Sequence, residues 1–119
     1  DGAFGTYIQD LNLSADDFGG PSLEGCNEML CITRPDVIRT MHEAFLAVGV
    51  DALETASFGS FSTVLNEYGI PERTSELNVA AASIAFEVAR AFARQLQGRM
   101  PLMRVGWGMC RPRAQANAR

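Results

Sequence analysis

The sequence predicts an α/β fold in which parallel strands are covered by helices. Three features predict it: an amphipathic helix over residues 35–48, a short apolar strand at residues 52–55, and a longer helix over residues 75–96. Strands that alternate with helices along a chain are typical of parallel sheets, because each crossover helix packs on the sheet. A length of 119 residues is enough for one small domain with a modest core.

The first long helix has a predicted start, a predicted apolar face and a predicted end. Thr33 is expected to cap it, with Pro35 in the first turn and Asp36 in a capping-box position. Gly49 fits the left-handed position that follows a last helical turn. The residues at helical spacing on the expected buried face are Val37, Ile38, Met41, Ala44, Phe45 and Val48.

The segments around this helix are interpreted from turn residues and from periodicity. Residues 1–8 are glycine-rich and fit the exit of a strand, and residues 14–25 are expected to form a loop. A short helix is predicted at residues 63–68, and Ser75 is expected to cap the long helix after it. The expected buried stripe of that long helix is Leu77, Ala81, Ile84, Val88, Ala91 and Phe92.

Composition and charge exclude several classes of protein. With 47% apolar and 20% charged residues, the chain has the composition of a globular domain, which argues against a disordered tail or a disulfide scaffold. No apolar run is long enough to span a membrane and no signal peptide is visible, so a cytoplasmic protein without a membrane partner is expected. The net charge of −4 is uneven, because residues 98–119 carry five Arg and no acidic residue. That segment lacks clustered aromatic residues, so nucleic acid is not an expected partner.

The three cysteines do not form a metal-ligand pattern. Cys26 and Cys31 are five positions apart without a neighbouring His, and Cys110 is distant in sequence. Zinc sites usually pair cysteines over shorter gaps and add a second pair. Reduced thiols in a cytoplasmic protein are therefore expected.

Two segments occupy the position where ligands bind in parallel sheets, which is outside the carboxyl ends of the strands. They are residues 1–6 and residues 54–58. Asp1 beside Gly2 can recognise a cationic group or act as a turn residue. Glu54 lies in an apolar strand, where an ionised carboxylate is costly unless it is paired, reaches solvent or binds a ligand.

Other polar residues allow more ordinary interpretations. Thr55 and Ser57 add hydroxyl groups at the same place, although strand and turn preferences also explain them. His42 is the single His, and its place beside an apolar helical stripe predicts a structural role. Asn27 and Glu28 are expected to hold the loop before the first helix. The sequence contains no phosphate-binding loop, no serine nucleophile elbow and no H-E-x-x-H motif.

Four segments in order resemble the homocysteine S-methyltransferase family. Residues 1–6 (DGAFGT) resemble its D-G-A/G-x-G-T opening, and residues 25–38 resemble the stretch that leads into its first barrel helix. Residues 42–51 and 54–59 are similar to its H-x-A-Y/F-x-x-A-G-A-D and E-T-N-T/S-F-G/N motifs. Each motif is weak alone, but four in the right order form a specific match. The long loop around residues 16–20 is most similar to the cobalamin-dependent, methionine-forming branch of the family.

This resemblance implies the N-terminal part of a (β/α)8 TIM barrel that binds homocysteine as its partner. For the complete family enzymes it implies a zinc ion on three cysteines, which activates the homocysteine thiol for methyl transfer. For the cobalamin-dependent branch it implies that other modules pass the methyl group from methyltetrahydrofolate through cobalamin. The substrate-binding residues that it implies in this chain are Asp1, Gly2, Ala3, Glu54, Thr55 and Phe58.

Departures from the family pattern limit what this chain is expected to do alone. Ala56 stands where the family has Asn, Phe4 replaces a common Met, and the family's zinc cysteines have no counterpart here. A whole barrel needs about 250 residues, so three βα units or fewer, an unpaired sheet edge and no activity of the isolated chain are expected. No catalytic residue, bound cofactor or metal ligand is expected within it.

Residues 1–97 are interpreted as the partial barrel module and residues 98–119 as an atypical basic tail. The family continues with a strand of the type Y-V-x-G-S-x-G-P, whereas this chain has residues 103–112 in that place. Read one base later, codons allowed for residues 111–117 can encode Gly-Pro-Gly-Pro-Lys-Leu-Thr, which resembles the next family turn. A shifted reading frame from about residue 98 is therefore a hypothesis, which the sequence of the gene tests.

Two alternatives remain open on the sequence alone. One is another homocysteine S-methyltransferase, which uses betaine, S-methylmethionine or a fused folate reductase. The other is a non-catalytic binding or assembly module that uses its open sheet edge and its basic tail.

Overall fold

Helices make up most of the described structure, and two short strands lie between and after them. The computed structural model describes residues 4–95 and the backbone of residues 102–104. The helices are α1 (Phe4–Asp10), α2 (Ala15–Phe18), α3 (Leu30–Thr33), α4 (Pro35–Ala47), α5 (Ser62–Leu65) and α6 (Thr74–Gln95), and the strands are β1 (Ala52–Glu54) and β2 (Leu102–Arg104). Short 3-10 turns lie at Pro21–Leu23, Asn27–Met29, Asn66–Tyr68 and Pro71–Arg73.

The two strands pair in parallel, with Leu53 opposite Met103. The chain between them contains α5 and α6, and α6 packs against both strands. This parallel pair with its crossover helix is the part of the predicted α/β arrangement that the described residues contain. β2 lies inside the predicted tail of residues 98–119, of which the other residues lie outside the described part of the chain.

The main apolar core lies where α4 and α6 pack over β1. Ile38 of α4, Leu53 of β1 and Ile84 of α6 are at most 5% exposed in it, and α1 and α2 add Ile8 and Phe18. Burying a side chain of this size contributes about 1.5–3 kcal/mol to stability. A second, smaller cluster contains Cys26, Met29, Leu65 and Leu77. These two clusters hold the 3-10 turn at Asn27–Met29 and the end of β1 in place.

The start of α4 differs from the prediction, whereas its end agrees. Thr33 ends α3, and its hydroxyl donates to the Met29 carbonyl at 3.1 Å, so the prediction that it caps α4 is wrong. Arg34 occupies the cap position without a side-chain cap hydrogen bond, and its guanidinium pairs with Asp36 at 2.9 Å. The preceding helical turn therefore uses the hydroxyl that the sequence pattern assigned to the cap. Gly49 has a φ of 89°, which confirms the left-handed helix end.

The buried face of α4 is rotated relative to the predicted face. The predicted positions that are fully buried are Val37, Ile38 and Met41. Ala44 and Val48 are exposed, Val48 to 80%, and His42 and Leu46 are buried instead. Because α4 contacts α3, β1 and α6, the arc that it buries depends on these three neighbours as well as on helical periodicity.

Two short helices occupy segments that were expected to be a strand exit and a loop. Residues 4–10 form α1, so the expected strand exit is wrong for residues 4–8, and residues 1–3 lie outside the described part of the chain. In the predicted loop, the Ser14 N–H and hydroxyl both donate to the Asp17 carboxylate at 2.9 Å. These bonds give the Ser14 N–H and hydroxyl a partner at the start of α2. Phe18, the last residue of α2, is buried in the main core.

The long helix α6 begins at Thr74, before the residue that was expected to cap it. The Thr74 hydroxyl donates to the Pro71 carbonyl at 2.8 Å, and the expected cap Ser75 lies exposed in the first turn. Of the predicted stripe, Ala91 is exposed and Phe92 is half-buried, whereas the other predicted positions are buried. Within the described part of the chain, no helix combines the length and the apolarity that crossing a membrane requires.

Candidate functional site

A cavity of about 320 Å³ opens beside the carboxyl end of β1. Its polar wall contains Asn27, Glu28, Glu54 and Thr55. Its remaining wall is formed by Phe4, Gly5, Met41, Phe45 and Phe58. Parallel α/β folds bind ligands outside the carboxyl ends of their strands, so this cavity is the candidate site.

A compact turn after β1 carries two of the cavity residues. The Thr55 and Ser57 hydroxyls lie 2.7 Å apart, and the Ser57 N–H donates to the Thr55 carbonyl at 2.8 Å. The turn closes where the Phe61 N–H donates to the Gly59 carbonyl at 2.8 Å. Phe58 lies at its tip and is 66% exposed. The backbone of the turn therefore determines where Phe58 lies relative to the cavity.

A buried carboxylate connects the turn to the other side of the cavity. Glu28, in the 3-10 turn Asn27–Met29, is 8% exposed, and its Oε1 accepts the Gly59 N–H at 2.8 Å. A Cβ at position 59 would lie 2.8 Å from that oxygen, which is closer than real Cβ atoms approach their neighbours. A residue with a Cβ at this position would therefore require the Glu28 carboxylate or the turn to shift.

The cavity combines negative charge with apolar surface. Glu54 contributes a carboxylate to the wall, the Glu28 carboxylate there accepts the Gly59 N–H, and no Lys, Arg or His is among the residues of the described ranges that line it. Carboxylates in a partly desolvated pocket attract a positively charged group such as an ammonium. Met41 and Phe45 offer apolar surface to a short aliphatic chain. A small amino acid fits both properties.

The two described cysteines are buried thiols. Burial raises the pKa of Cys26, and burial together with the charge of Glu28 raises the pKa of Cys31 to about 12. The Cys31 thiol donates to the Ala56 carbonyl at 3.6 Å. Metal ligation requires thiolates, and residues 4–95 contain no group of three or more His, Cys, Asp or Glu side chains arranged to hold a metal ion. These residues do not fit a zinc site.

His42 lies on the inner face of α4 and is not among the described residues that line the cavity. It is 0% exposed, and burial lowers its pKa to about 4. The imidazole is therefore neutral at pH 7. This placement agrees with the structural role that the sequence predicts.

The structure brings together three of the residues that the sequence singles out. Glu54, Thr55 and Phe58 line one cavity, and the N-terminal segment reaches it through Phe4 and Gly5. Asp1, Gly2 and Ala3, which were also expected there, lie outside the described residues.

Sequence reasoning missed part of the cavity wall. Met41 and Phe45 were assigned to the core, and Asn27 and Glu28 to a loop contact, but all four line the cavity. The only sequence signal for Asn27, Glu28 and Phe45 was their place inside segments that match the family, and Met41 lies between two of those segments. Met41 and Phe45 share the inner face of α4 one turn apart, which periodicity cannot distinguish from ordinary core.

The parallel strand pair, its crossover helices and the cavity at the end of β1 agree with the family to which sequence comparison assigns the chain. The chain belongs to the homocysteine S-methyltransferase family, whose model matches residues 1–112.

Among its relatives are two mycobacterial proteins, both named methionine synthase. The chain is 46% identical over 89 residues to the protein of Mycobacterium tuberculosis (strain ATCC 25618 / H37Rv) and 45% identical over 89 residues to that of Mycobacterium leprae (strain TN). Each match covers 75% of this chain and 7% of the relative. The chain thus spans a small part of the length of these relatives.

Proposed function

We propose that this chain supplies part of the homocysteine pocket of a methionine synthase, within the N-terminal part of a (β/α)8 barrel. The observation that carries the proposal is the convergence of Phe4 and Gly5 with Glu54, Thr55 and Phe58 around one cavity. Family membership and the names of the mycobacterial relatives support homocysteine as the substrate and methionine as the product.

The charged end of homocysteine is recognised at the acidic side of the pocket in this proposal. Asp1 and Glu54 contact its ammonium group, because a carboxylate binds an ammonium strongly in a partly desolvated site. The backbone at Gly2 and Ala3 completes this end of the pocket, since small residues let the main chain approach the ligand closely. Glu54, the last residue of β1, lines the cavity and supports this assignment.

The remaining contacts orient the side chain of homocysteine. Thr55 presents a hydroxyl next to Glu54. This hydroxyl lies 2.7 Å from the Ser57 hydroxyl, and the hydrogen bond between them orients it. Phe58 packs on the methylene groups from the exposed side of the cavity. This arrangement leaves the thiol at the cavity mouth, where a methyl donor on another module can reach it.

Zinc and cobalamin belong, in this proposal, to the full-length enzyme and are held by residues other than the described ones. Cys26 and Cys31 do not fit a zinc site, because burial keeps both thiols protonated at pH 7. The contribution of this chain is therefore substrate binding, and methyl transfer needs modules that bind cobalamin and methyltetrahydrofolate. We expect such an enzyme to act in the cytoplasm, and no methionine to form with the 119-residue chain alone.

Isothermal titration calorimetry of the chain with L-homocysteine tests the proposal. We expect binding that weakens at least about tenfold in the Glu54→Gln variant, because a charge-assisted contact to the ammonium is lost. Glu43→Gln is a matched control, since Glu43 is exposed on α4 and does not line the cavity. The proposal is rejected if the wild type does not bind homocysteine or if both variants bind it equally well. Methionine formation by the chain alone would contradict the assignment of the methyl-transfer step to other modules.

The alternatives from the sequence are separated by two further measurements. A binding module that uses the basic tail would bind DNA with an affinity that falls steeply with salt concentration, and we expect no such binding. Enzymes that use betaine or S-methylmethionine share the homocysteine pocket, so the methyl donor is decided by assays of the full-length protein. The names of the relatives favour the methionine synthase.

A further inference from the structure

We propose that Glu28 is a positioning residue: its carboxylate holds the Gly59 N–H and so sets the turn that presents Thr55 and Phe58 to the substrate. This inference rests on the proposed function. It adds a residue outside the substrate-binding set that the family resemblance implies, and it assigns to that residue an indirect role.

The contact itself is short, buried and charge-assisted. Glu28 Oε1 accepts the Gly59 N–H at 2.8 Å across 31 positions of sequence, and Glu28 is 8% exposed. Within residues 4–95 the carboxylate forms no ion pair, and the Gly59 N–H is the donor that it meets. A hydrogen bond from a backbone N–H to a buried carboxylate is stronger than one between neutral groups. Losing it would therefore leave a buried charge and a buried N–H without this partner.

The main chain at Gly59 is shaped for this contact. A Cβ there would lie 2.8 Å from Glu28 Oε1 and 3.2 Å from Oε2, so a larger residue would displace either the carboxylate or the turn. The Glu28 carboxylate lines the cavity, but its Oε1 is already engaged by the Gly59 N–H. This geometry favours a carboxylate that supports the turn over one that reaches a ligand.

The turn transmits the contact to the two substrate-facing residues. Phe58 directly precedes Gly59 and is 66% exposed, so few side-chain contacts hold it in position. Toward the strand, the Ser57 N–H donates to the Thr55 carbonyl, and the Ser60 N–H donates to the Ser57 carbonyl at 3.1 Å. Release of Gly59 would thus loosen the backbone on both sides of Phe58 and weaken the orientation of Thr55.

The experiment compares the full 119-residue chain with four variants: Glu28→Gln, Glu28→Ala, Gly59→Ala and the double variant with both alanines. Two measurements are made on each variant, namely homocysteine affinity by calorimetry and hydrogen exchange of the backbone amide at position 59. Ile84→Ala is the control for general destabilisation, because Ile84 is 5% exposed in the core and does not line the cavity.

We expect Glu28→Ala to speed exchange at position 59 and to weaken homocysteine binding, each by about tenfold or more. Glu28→Gln keeps an acceptor oxygen and is expected to rescue both properties to within about threefold. Gly59→Ala should reproduce the loss, and it should add little when Glu28 is already Ala, because coupled residues are not additive. If Glu28→Ala does not fold, Gly59→Ala carries the test, because an unchanged homocysteine affinity in that variant would also overturn the inference.

Two results would overturn the inference while leaving the proposed function intact. One is unchanged exchange at position 59 in Glu28→Ala. The other is a Gln variant that keeps this protection but loses as much affinity as the Ala variant, which would assign Glu28 a direct ligand contact. A wild type that does not bind homocysteine would instead overturn the proposed function and the substrate role of Glu28 together. In that case the exchange measurement would still show whether Glu28 holds Gly59.

Discussion

Acid is expected to destabilise this protein through His42 before its paired carboxylates are protonated. His42 is 0% exposed, and burial lowers its pKa from 6.5 to about 4. A histidine whose folded pKa lies below its unfolded pKa binds a proton more readily after unfolding. Its contribution to stability is therefore fully present above pH 6.5 and is lost as the pH falls toward 4.

The size of this effect follows from the two pKa values. The difference between 6.5 and about 4 corresponds to about 3 kcal/mol of unfolding free energy, since each pKa unit is worth about 1.4 kcal/mol. Domains of this kind are stable by about 5–15 kcal/mol, so the loss is a large part of the total. The pKa values of Asp17, Asp36 and Glu76 are lowered by hydrogen bonds to Ser14 or to arginines, so their contributions disappear only at more acidic pH.

Urea unfolding followed by circular dichroism at pH 7, 5.5 and 4.5 measures this loss. His42 is the single His in the chain, so its replacement should remove the pH dependence between pH 6.5 and about pH 5, above the range in which the hydrogen-bonded carboxylates are protonated. His42→Leu places an apolar side chain of similar size in the core and removes the titrating group, so it tests this prediction directly. If His42→Leu loses as much stability as the wild type over the same range, His42 is not the titrating group and the argument from its burial is wrong.

Three further substitutions test the core, a helix end and the cavity. Leu53→Ala removes a side chain that is 0% exposed and should lower the unfolding free energy by about 3 kcal/mol. Val79→Ala, at a position that is 63% exposed, should change the unfolding free energy little. Similar urea midpoints for the two variants would contradict the assigned core. Gly49→Ala places a residue with a Cβ at a left-handed φ of 89° and should lower the free energy of unfolding by about 1 kcal/mol. An unchanged melting temperature would argue against this helix end. Phe58→Ala, at a position that is 66% exposed, should change the unfolding free energy by less than about 0.5 kcal/mol and weaken homocysteine binding several-fold. If calorimetry shows an unchanged affinity, Phe58 is not part of the site.

The elements that sequence reasoning placed correctly are those that local chemistry decides. The helices around residues 35–47 and 74–95 have long amphipathic patterns, and β1 is a short apolar run after a glycine. Gly49 adopts the left-handed conformation because side-chain-free residues reach it without steric cost. In each case the decisive residues lie within a few positions of one another.

The errors occur where another contact, local in one case and distant in the other, overrides the preference that the sequence pattern indicates. Thr33 matches a cap in sequence, but the last turn of α3 uses its hydroxyl. Val48 matches the apolar stripe of α4, but the helices and the strand around α4 leave it 80% exposed and enclose His42 and Leu46. A single sequence contains no information on which side of a helix these neighbours will pack.

Some residues of the candidate site were predictable from the sequence, and others were found only in the packed structure. The family motifs and the predicted end of β1 singled out Glu54, Thr55 and Phe58, and all three line the cavity, because side chains at the carboxyl end of a parallel strand lie at the ligand-binding edge. Their contact with substrate stays a prediction. Only the packed chain shows that Glu28 meets Gly59, 31 positions away, because that contact depends on how the 3-10 turn at Asn27–Met29 packs beside β1. Hydrophobic periodicity and turn chemistry act over a few residues, whereas the cavity is formed by segments that only tertiary packing brings together.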